Sequence, residues 1–381
     1  MSTAIIGAIT TNRICTVKLD SVINVTKTFL PPLEDYTRNV QRAWDNVWLT
    51  NRGELVRELE TKLTQHLELT PECRLLFMNN GTVPIQIALK LLAGGGEVIT
   101  TPFSYVATTA AVVWENCTPV FVDIHPEYFT IDEEKIEEAI TEKTTCILAT
   151  HVFGNPCNLE AIQRIADKHK LHVIYDAAHC FGVKYKGQSI FEFGDVSTCS
   201  FHATKLFHTA EGGAAFCKDA ELFHKLFYSH NFGHNGPVDF HGLGINAKVS
   251  ELQGAMGLSV LPYMQHIVSE RKRVVDYYNA HLNLSSLERM RLRENTDWNF
   301  SYYPIVFKTE EELLRVDGEL KKNSVTARRY FYPSLNSLNY VANTPCPVSE
   351  SIAARILCLP LFVGLTDEQL DLIVTTINRN C

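Results

Sequence analysis

Two ionisable side chains, Asp176 and Lys205, stand where solvated charge is a poor explanation. Lys205 lies within Ser-Phe-His-Ala-Thr-Lys-Leu-Phe-His-Thr-Ala-Glu-Gly-Gly, residues 200–213, between strand-like runs at 196–201 and 214–217. A lysine held between apolar strands, with hydroxyls before it and a glycine pair after it, suits a Schiff base with a cofactor aldehyde. Enzymes use pyridoxal 5'-phosphate (PLP) for this chemistry. Asp176 closes the apolar run before it, where an unpaired carboxylate is costly and a cationic partner is expected. A protonated pyridine nitrogen is such a partner, and the small Ala177 and Ala178 leave room for a ring. His179 follows, where it could donate a hydrogen bond to the phenolic oxygen of that ring.

Other candidates surround this pair. Asn79-Asn80-Gly81-Thr82 breaks a buried strand-like run at 74–78 ahead of a helix with Pro84 in its first turn. Free amides at such a helix start favour an anion, so Gly81 and Thr82 are the candidates for a phosphate cradle. Tyr105 ends the run Thr101-Pro-Phe-Ser-Tyr, where its ring suits either stacking on a planar cofactor or the core. His151 ends another strand and is expected to be structural. His230, His234 and His241 lack cysteine or carboxylate partners at ligand spacing, so no metal site is expected. Gly94-Gly95-Gly96 precedes a strand rather than following one and does not match a dinucleotide-binding fingerprint.

These residues need a scaffold that brings distant segments together. Leu55, Leu59, Leu63 and Leu67 recur every fourth residue, which predicts a packing helix. Strand-like runs at 97–100, 119–124, 145–150 and 172–176 then alternate with helical ones at 106–115, 132–140 and 158–168. Alternation of this kind predicts an α/β fold, a mostly parallel sheet flanked by helices, with ligands at the carboxyl ends of the strands. A helix at 221–228 leads into a glycine-rich loop, residues 230–248, and a long helix at 249–282 interrupted at Pro262. A smaller C-terminal α/β domain follows, with strands at 299–307 and 356–361 and helices at 310–322 and 367–377. Its loop Arg328-Arg329-Tyr330-Phe331-Tyr332-Pro333 offers rings and arginines that suit a base, a sugar and a diphosphate, with Arg329 and Tyr332 as candidates. The expected organisation is an N-terminal extension at 1–22, a large domain at 23–250, and a linker helix with the small domain at 251–381.

Composition narrows the class. A chain of 381 residues with 45% hydrophobic and 20% charged content can bury a large core and is expected to be a soluble protein of two domains. A net charge of −8 without a basic block gives no reason to expect nucleic acid or an anionic membrane as partner. Eleven cysteines, an odd number without any Cys-x-x-Cys pair, read as reduced cytoplasmic thiols. The apolar stretch at 4–9 has no basic residue before it, so no secretory signal is expected, and no run approaches membrane-spanning length.

From about residue 23 onward the order of parts resembles the DegT/DnrJ/EryC1/StrS sugar aminotransferases, which are fold type I PLP enzymes. The likeness rests on Trp48-Leu-Thr-Asn-Arg-Gly, Asn80-Gly-Thr, Asp176-Ala-Ala-His, Ser200-Phe-His-Ala-Thr-Lys, Glu211-Gly-Gly, Gly244-Ile-Asn with Ser250-Glu-Leu-Gln, and Leu359-Pro-Leu. The resemblance implies that Lys205 forms the internal aldimine, Asp176 pairs with the pyridine nitrogen, His179 contacts the ring oxygen and Tyr105 stacks on the ring. It further implies a phosphate held by Gly81, Thr82 and Ser200, and by Asn246 reaching across from a second subunit of a homodimer. Lys248 stands where the family more often has arginine, and Asn336 where a histidine often occurs, both near the expected sugar contacts. The aromatic run at 328–336 is most similar to enzymes that use L-glutamate, released as 2-oxoglutarate, to aminate dTDP-4-keto-6-deoxy-D-glucose at C4. The implied setting is cytoplasmic synthesis of a deoxyamino sugar for O-antigen lipopolysaccharide. Amination of a dTDP-3-keto sugar is the enzymatic alternative, and a PLP-binding regulatory protein without turnover is the other.

Overall fold

The computed structural model describes residues 22–381, so the expected N-terminal extension lies, apart from Val22, outside the described residues. After a short strand β1 (Ile23–Asn24) come two helices, α1 (Leu33–Asp45) and α2 (Glu54–His66). Leu55, Leu59 and Leu63 bury one face of α2, as their spacing predicts, and Leu67 is buried just beyond its end. The start of α2 is capped from far along the chain, the Leu55 amide donating to Glu251 Oε2 at 2.7 Å.

The alternating stretch forms one seven-stranded sheet. Its elements are β2 (Arg74–Met78), α3 (Thr82–Leu92), β3 (Glu97–Thr100), α4 (Val106–Trp114), β4 (Thr118–Phe121), β5 (Thr144–Thr150), α5 (Leu159–His169) and β6 (His172–Asp176). A small hairpin, β7 (Lys184–Tyr185) with β8 (Gln188–Ser189), precedes β9 (Val196–Ser200), β10 (Gly213–Cys217) and α6 (Ala220–Ser229). The strand order is β2-β10-β9-β6-β5-β3-β4, and only β10 runs against its neighbours. Near-continuous apolar strands buried on both faces are what a parallel sheet covered by helices requires. Ser200 pairs directly with Gly213, so the loop that carries Lys205 leaves and re-enters the sheet at one point.

Three expected elements differ, the simplest being the strand expected at 356–361, which stops at Cys358. Residues 132–140 form two 3-10 turns, Glu133–Lys135 and Glu137–Ala139, instead of a helix. Asp132 accepts from the Glu134 amide and starts a turn there, while Ile136 is the one fully buried anchor among many charges, too little apolar surface to hold a helical face. The expected strand at 299–307 shrinks to Pro304–Val306, because the residues before it are used as a strap described below.

Beyond the sheet, α7 (Glu251–Val260) starts with a capping box between Ser250 and Gln253. A 3-10 turn containing Pro262 joins it to α8 (Met264–His281), which matches the expected interruption. Ala255 and Leu258 of α7 share the core of α2 and the sheet, whereas Val274, Val275 and Tyr278 of α8 belong to a second core. That second core gathers β12 (Pro304–Val306), α9 (Glu310–Lys322), β13 (Val325–Thr326), β14 (Ile356–Cys358) and α11 (Asp367–Asn380) around it, while β11 (Thr296–Asp297) pairs with β7 and α10 (Pro347–Arg355) packs Ile352 and Ala353 into a third cluster with Phe103, Phe153 and Phe331. β1 joins this region by pairing in parallel with β13. The ten cysteines among the described residues are free, and burial raises their thiol pKa values, that of Cys73 to about 12. No helix of the described residues is long and apolar enough to cross a membrane.

Candidate active site

A cavity of about 260 Å³ opens at the carboxyl ends of β5, β6 and β9. Three adjacent strands deliver Thr150, Asp176 and Ser200 to its rim, with Thr150 and Thr198 in register with Asp176 on either side. Lys205 descends into the same cavity from the β9–β10 loop, its Nζ 3.5 Å from Tyr302 Oη. Burial lowers the Lys205 pKa, and the nearby Asp176 opposes that shift. The amine is therefore easier to deprotonate than a surface lysine, as a nucleophile toward an aldehyde requires.

Asp176 is almost fully buried yet faces this cavity. Thr108 Oγ1 donates to its Oδ2 at 2.6 Å and the Ala178 amide to its Oδ1 at 3.1 Å. Each carboxylate oxygen thus has one protein donor, and lone pairs remain for a cation in the cavity.

His179 is held as a neutral donor. The Phe153 amide donates to its Nδ1 at 3.1 Å, so the ring proton sits on Nε2. Burial and the neighbouring Lys205 charge push its pKa well below the usual histidine value. Phe153 makes that bond from a left-handed backbone conformation with φ at 54°, a strained choice for a phenylalanine. The residues before β12 lock the arrangement. Asn299 Nδ2 donates to the carbonyls of His179 and Phe181, both at 2.9 Å, while Trp298 Nε1 and Ser301 Oγ donate to the Phe153 carbonyl at 2.9 and 3.0 Å. From α8 the buried Arg271 guanidinium grips the Phe300 and Ser301 carbonyls, which fixes the next residue, Tyr302, against the cavity.

The opposite end of the cavity is narrow and polar. A Cβ on Gly81 would lie 2.7 Å from Ser200 Cβ, and one on Gly213 would lie 2.3 Å from the Asn80 carbonyl oxygen, so the closeness of β2 and β9–β10 demands glycine at both positions. The expectation of free amides at the start of α3 needs correction. Asn80 Oδ1 already accepts from the Thr82 and Val83 amides at 2.8 and 2.9 Å. The groups left to meet an anion here are the Gly81 amide and the hydroxyls of Thr82 and Ser200.

Seven of the expected residues, Gly81, Thr82, Tyr105, Asp176, His179, Ser200 and Lys205, line this one cavity. Four do not. Asn246 and Lys248 sit outside it, bonded to each other at 2.8 Å, with the lysine over the Phe232 ring. Arg329 turns away, donating to Glu310 and to the Ala354 carbonyl at 2.6 and 2.7 Å, and Tyr332 stacks under it and faces another hollow. The guanidinium in the cavity wall is that of Arg328, beside Tyr330 and Phe331. Arg328, Tyr330 and Tyr302 were not singled out from the sequence. The alternation of an extended chain could have offered Arg328 in place of Arg329, but nothing local sets which of the two faces inward.

The donor set fits PLP: an amine for its aldehyde, a carboxylate for its ring nitrogen, an imidazole N–H for its phenolic oxygen, and a glycine-walled hydroxyl cradle for its phosphate. The mixed sheet with this lysine loop beside an aspartate-tipped strand defines a fold type I PLP-dependent transferase. Residues 33–378 match the DegT/DnrJ/EryC1/StrS aminotransferase family, and the chain belongs to it. It is 39% identical over 368 residues to a dTDP-4-amino-4,6-dideoxy-D-glucose transaminase of Shigella dysenteriae, covering 95% of this chain and 100% of that one. The structure of DesI, solved in the presence of its TDP-sugar product, superposes with a TM-score of 0.87 at 30% identity, covering 95% of this chain and 94% of the other. A sugar aminotransferase of Streptococcus pneumoniae, solved in its PLP form, gives a TM-score of 0.84 at 26% identity over 93% of this chain and 98% of that one.

Proposed function

We propose that this protein is a PLP-dependent aminotransferase that moves an amino group from L-glutamate to the C4 ketone of dTDP-4-keto-6-deoxy-D-glucose, giving dTDP-4-amino-4,6-dideoxy-D-glucose. The observation that carries the chemistry is that the half-buried Lys205 amine and the buried Asp176 carboxylate line one cavity. The choice of sugar rests on the Shigella relative, which shares the whole of its length with this chain. When bound, PLP supplies an aldehyde to capture amines and a ring that takes up carbanion electrons. Asp176 would orient the ring and hold its nitrogen as a cation, while Tyr105 covers a face. His179 would donate from Nε2 to the phenolic oxygen. Gly81, Thr82 and Ser200 would hold the phosphate, joined by Asn246 of a second subunit. Once freed, the Lys205 amine would carry a proton between the amino acid's α-carbon and the cofactor, and the burial that lowers its pKa favours the base form this work needs. Arg328 supplies the cationic wall where a carboxylate or diphosphate would rest. The same reading makes the enzyme a cytoplasmic homodimer with shared sites, serving deoxyamino-sugar supply for O-antigen lipopolysaccharide.

The test is direct. The purified yellow protein should bleach with L-glutamate and regain its colour with the 4-keto sugar, and NMR of the product should place nitrogen on C4. Lys205→Ala should lose turnover by at least about 10⁴-fold. Nitrogen on C3, or turnover that survives Lys205→Ala, would overturn the assignment.

A further inference from the structure

From Thr150 and Ser104 in the cavity wall, a chain of hydroxyls that the reaction as described does not use runs through Thr108 to Asp176. Thr108 Oγ1 is 2.6 Å from Asp176 Oδ2, Ser104 Oγ is 2.8 Å from Thr108 Oγ1, and Thr150 Oγ1 is 3.1 Å from Ser104 Oγ. All three residues are buried. A carboxylate only accepts, so Thr108 must spend its one proton on Asp176 and can only accept from Ser104. Ser104 in turn can only accept from Thr150. The direction is therefore set along the whole chain, from Thr150 through Ser104 and Thr108 to Asp176, and each link polarises the next.

The position of Thr108 adds a second constraint. It sits in the first turn of α4, where its amide donates to the Tyr105 carbonyl at 3.1 Å. Tyr105, the N-cap residue of that helix, lines the cavity. One helical turn thus fixes both the ring that would cover the cofactor face and the carboxylate that would meet its nitrogen.

We infer that Thr108 is a positioning residue for PLP binding: through the one-way chain from Thr150 and Ser104 it aims the Asp176 carboxylate at the cofactor's ring nitrogen. The inference rests on the PLP reading above. Hydrogen bonds to charged groups set the scale of the effect, so Thr108→Val, which keeps the shape and removes the donor, should weaken PLP binding to the apoprotein by about 10- to 100-fold. Ser104→Ala, one link further back, should weaken it by a smaller factor.

The deciding measurement compares PLP with its 1-deaza analogue, in which carbon replaces the ring nitrogen, by titrating apoprotein and reading the bound chromophore. Thr108→Val should cost affinity for PLP and leave the deaza analogue within about 3-fold of wild type, because the lost interaction runs through that nitrogen. Thr108→Ser should restore PLP binding, and Thr108→Ala provides the same comparison if valine crowds the helix. Equal losses for both cofactors, no loss for PLP, or no recovery with serine would each overturn the inference. Wild-type apoprotein that failed to bind PLP would instead overturn the functional reading itself.

Discussion

Asp176 was legible in the sequence because it ends an apolar strand-like run, and Lys205 because it lies between two such runs with hydroxyls before it and a glycine pair after it, where a charge needs a reason. Thr108 and Tyr302 were not, since a threonine in a helix and a tyrosine in an irregular stretch carry no local mark, and their roles come from atoms brought together by the fold. His151 was read as structural, and it is wholly buried, stacked on Tyr175, with Nδ1 accepting from the Cys157 amide at 3.0 Å. Burial lowers its pKa from 6.5 to about 3, so it stays neutral in the folded protein. The unfolded chain takes up a proton as pH falls below about 6.5, and the folded chain refuses it until about pH 3. Stability must therefore fall with pH in that window, by about 1.4 kcal/mol per pH unit for this one group. In urea unfolding series between pH 6 and pH 4, His151→Asn should reduce the slope of stability against pH by about one proton. An unchanged slope would show that His151 is protonated in the folded state.

Elements were more readable than their ends. The parallel sheet followed from the alternation of apolar runs, and α9 occupies the expected residues. The strand at 299–307 failed because pattern reading cannot foresee backbone that is held by side chains of other segments. That stretch ties the second core to the His179 loop through Asn299, whose amide nitrogen satisfies two carbonyls in the buried interior. Asn299→Ala would leave both carbonyls without that donor, at a cost of about 2–3 kcal/mol in unfolding free energy. The same change should loosen the loop that presents His179, so PLP should dissociate faster from the variant. Denaturant unfolding of the apoprotein and the rate of colour loss on dilution check the two effects separately. A stable protein with normal retention would mean that the strap is redundant.

For the whole molecule, the informative residues are those that miss their own cavity. Asn246 and Lys248 follow a hairpin-like loop whose Phe232, Phe240, Leu243 and Ile245 are exposed, the kind of apolar surface that a partner subunit covers. If Asn246 serves the neighbouring subunit's phosphate site, two damaged proteins can repair each other. Lys205→Ala and Asn246→Ala subunits, each poorly active alone, would form mixed dimers with one site built from the intact half of each. Random exchange of equal amounts should recover about a quarter of wild-type activity. Recovery near zero after proven subunit exchange would place Asn246 in its own subunit's site, and an Asn246→Ala protein of normal activity would place it outside the catalytic assembly.

Ser200 and Gly213 pair across the β9–β10 junction, and the lysine loop is pinched shut at that point. The wall that carries Arg328, Tyr330 and Phe331 is tethered separately, by the two backbone bonds between Arg328 and Cys358 at 2.8 and 3.1 Å. On the reading proposed above, the lysine and the cationic wall that would face the acceptor sit on separately tethered pieces of chain that meet through ring contacts such as Phe331 on His179. Such modularity lets descent with modification trade one acceptor for another while the catalytic inheritance stays intact.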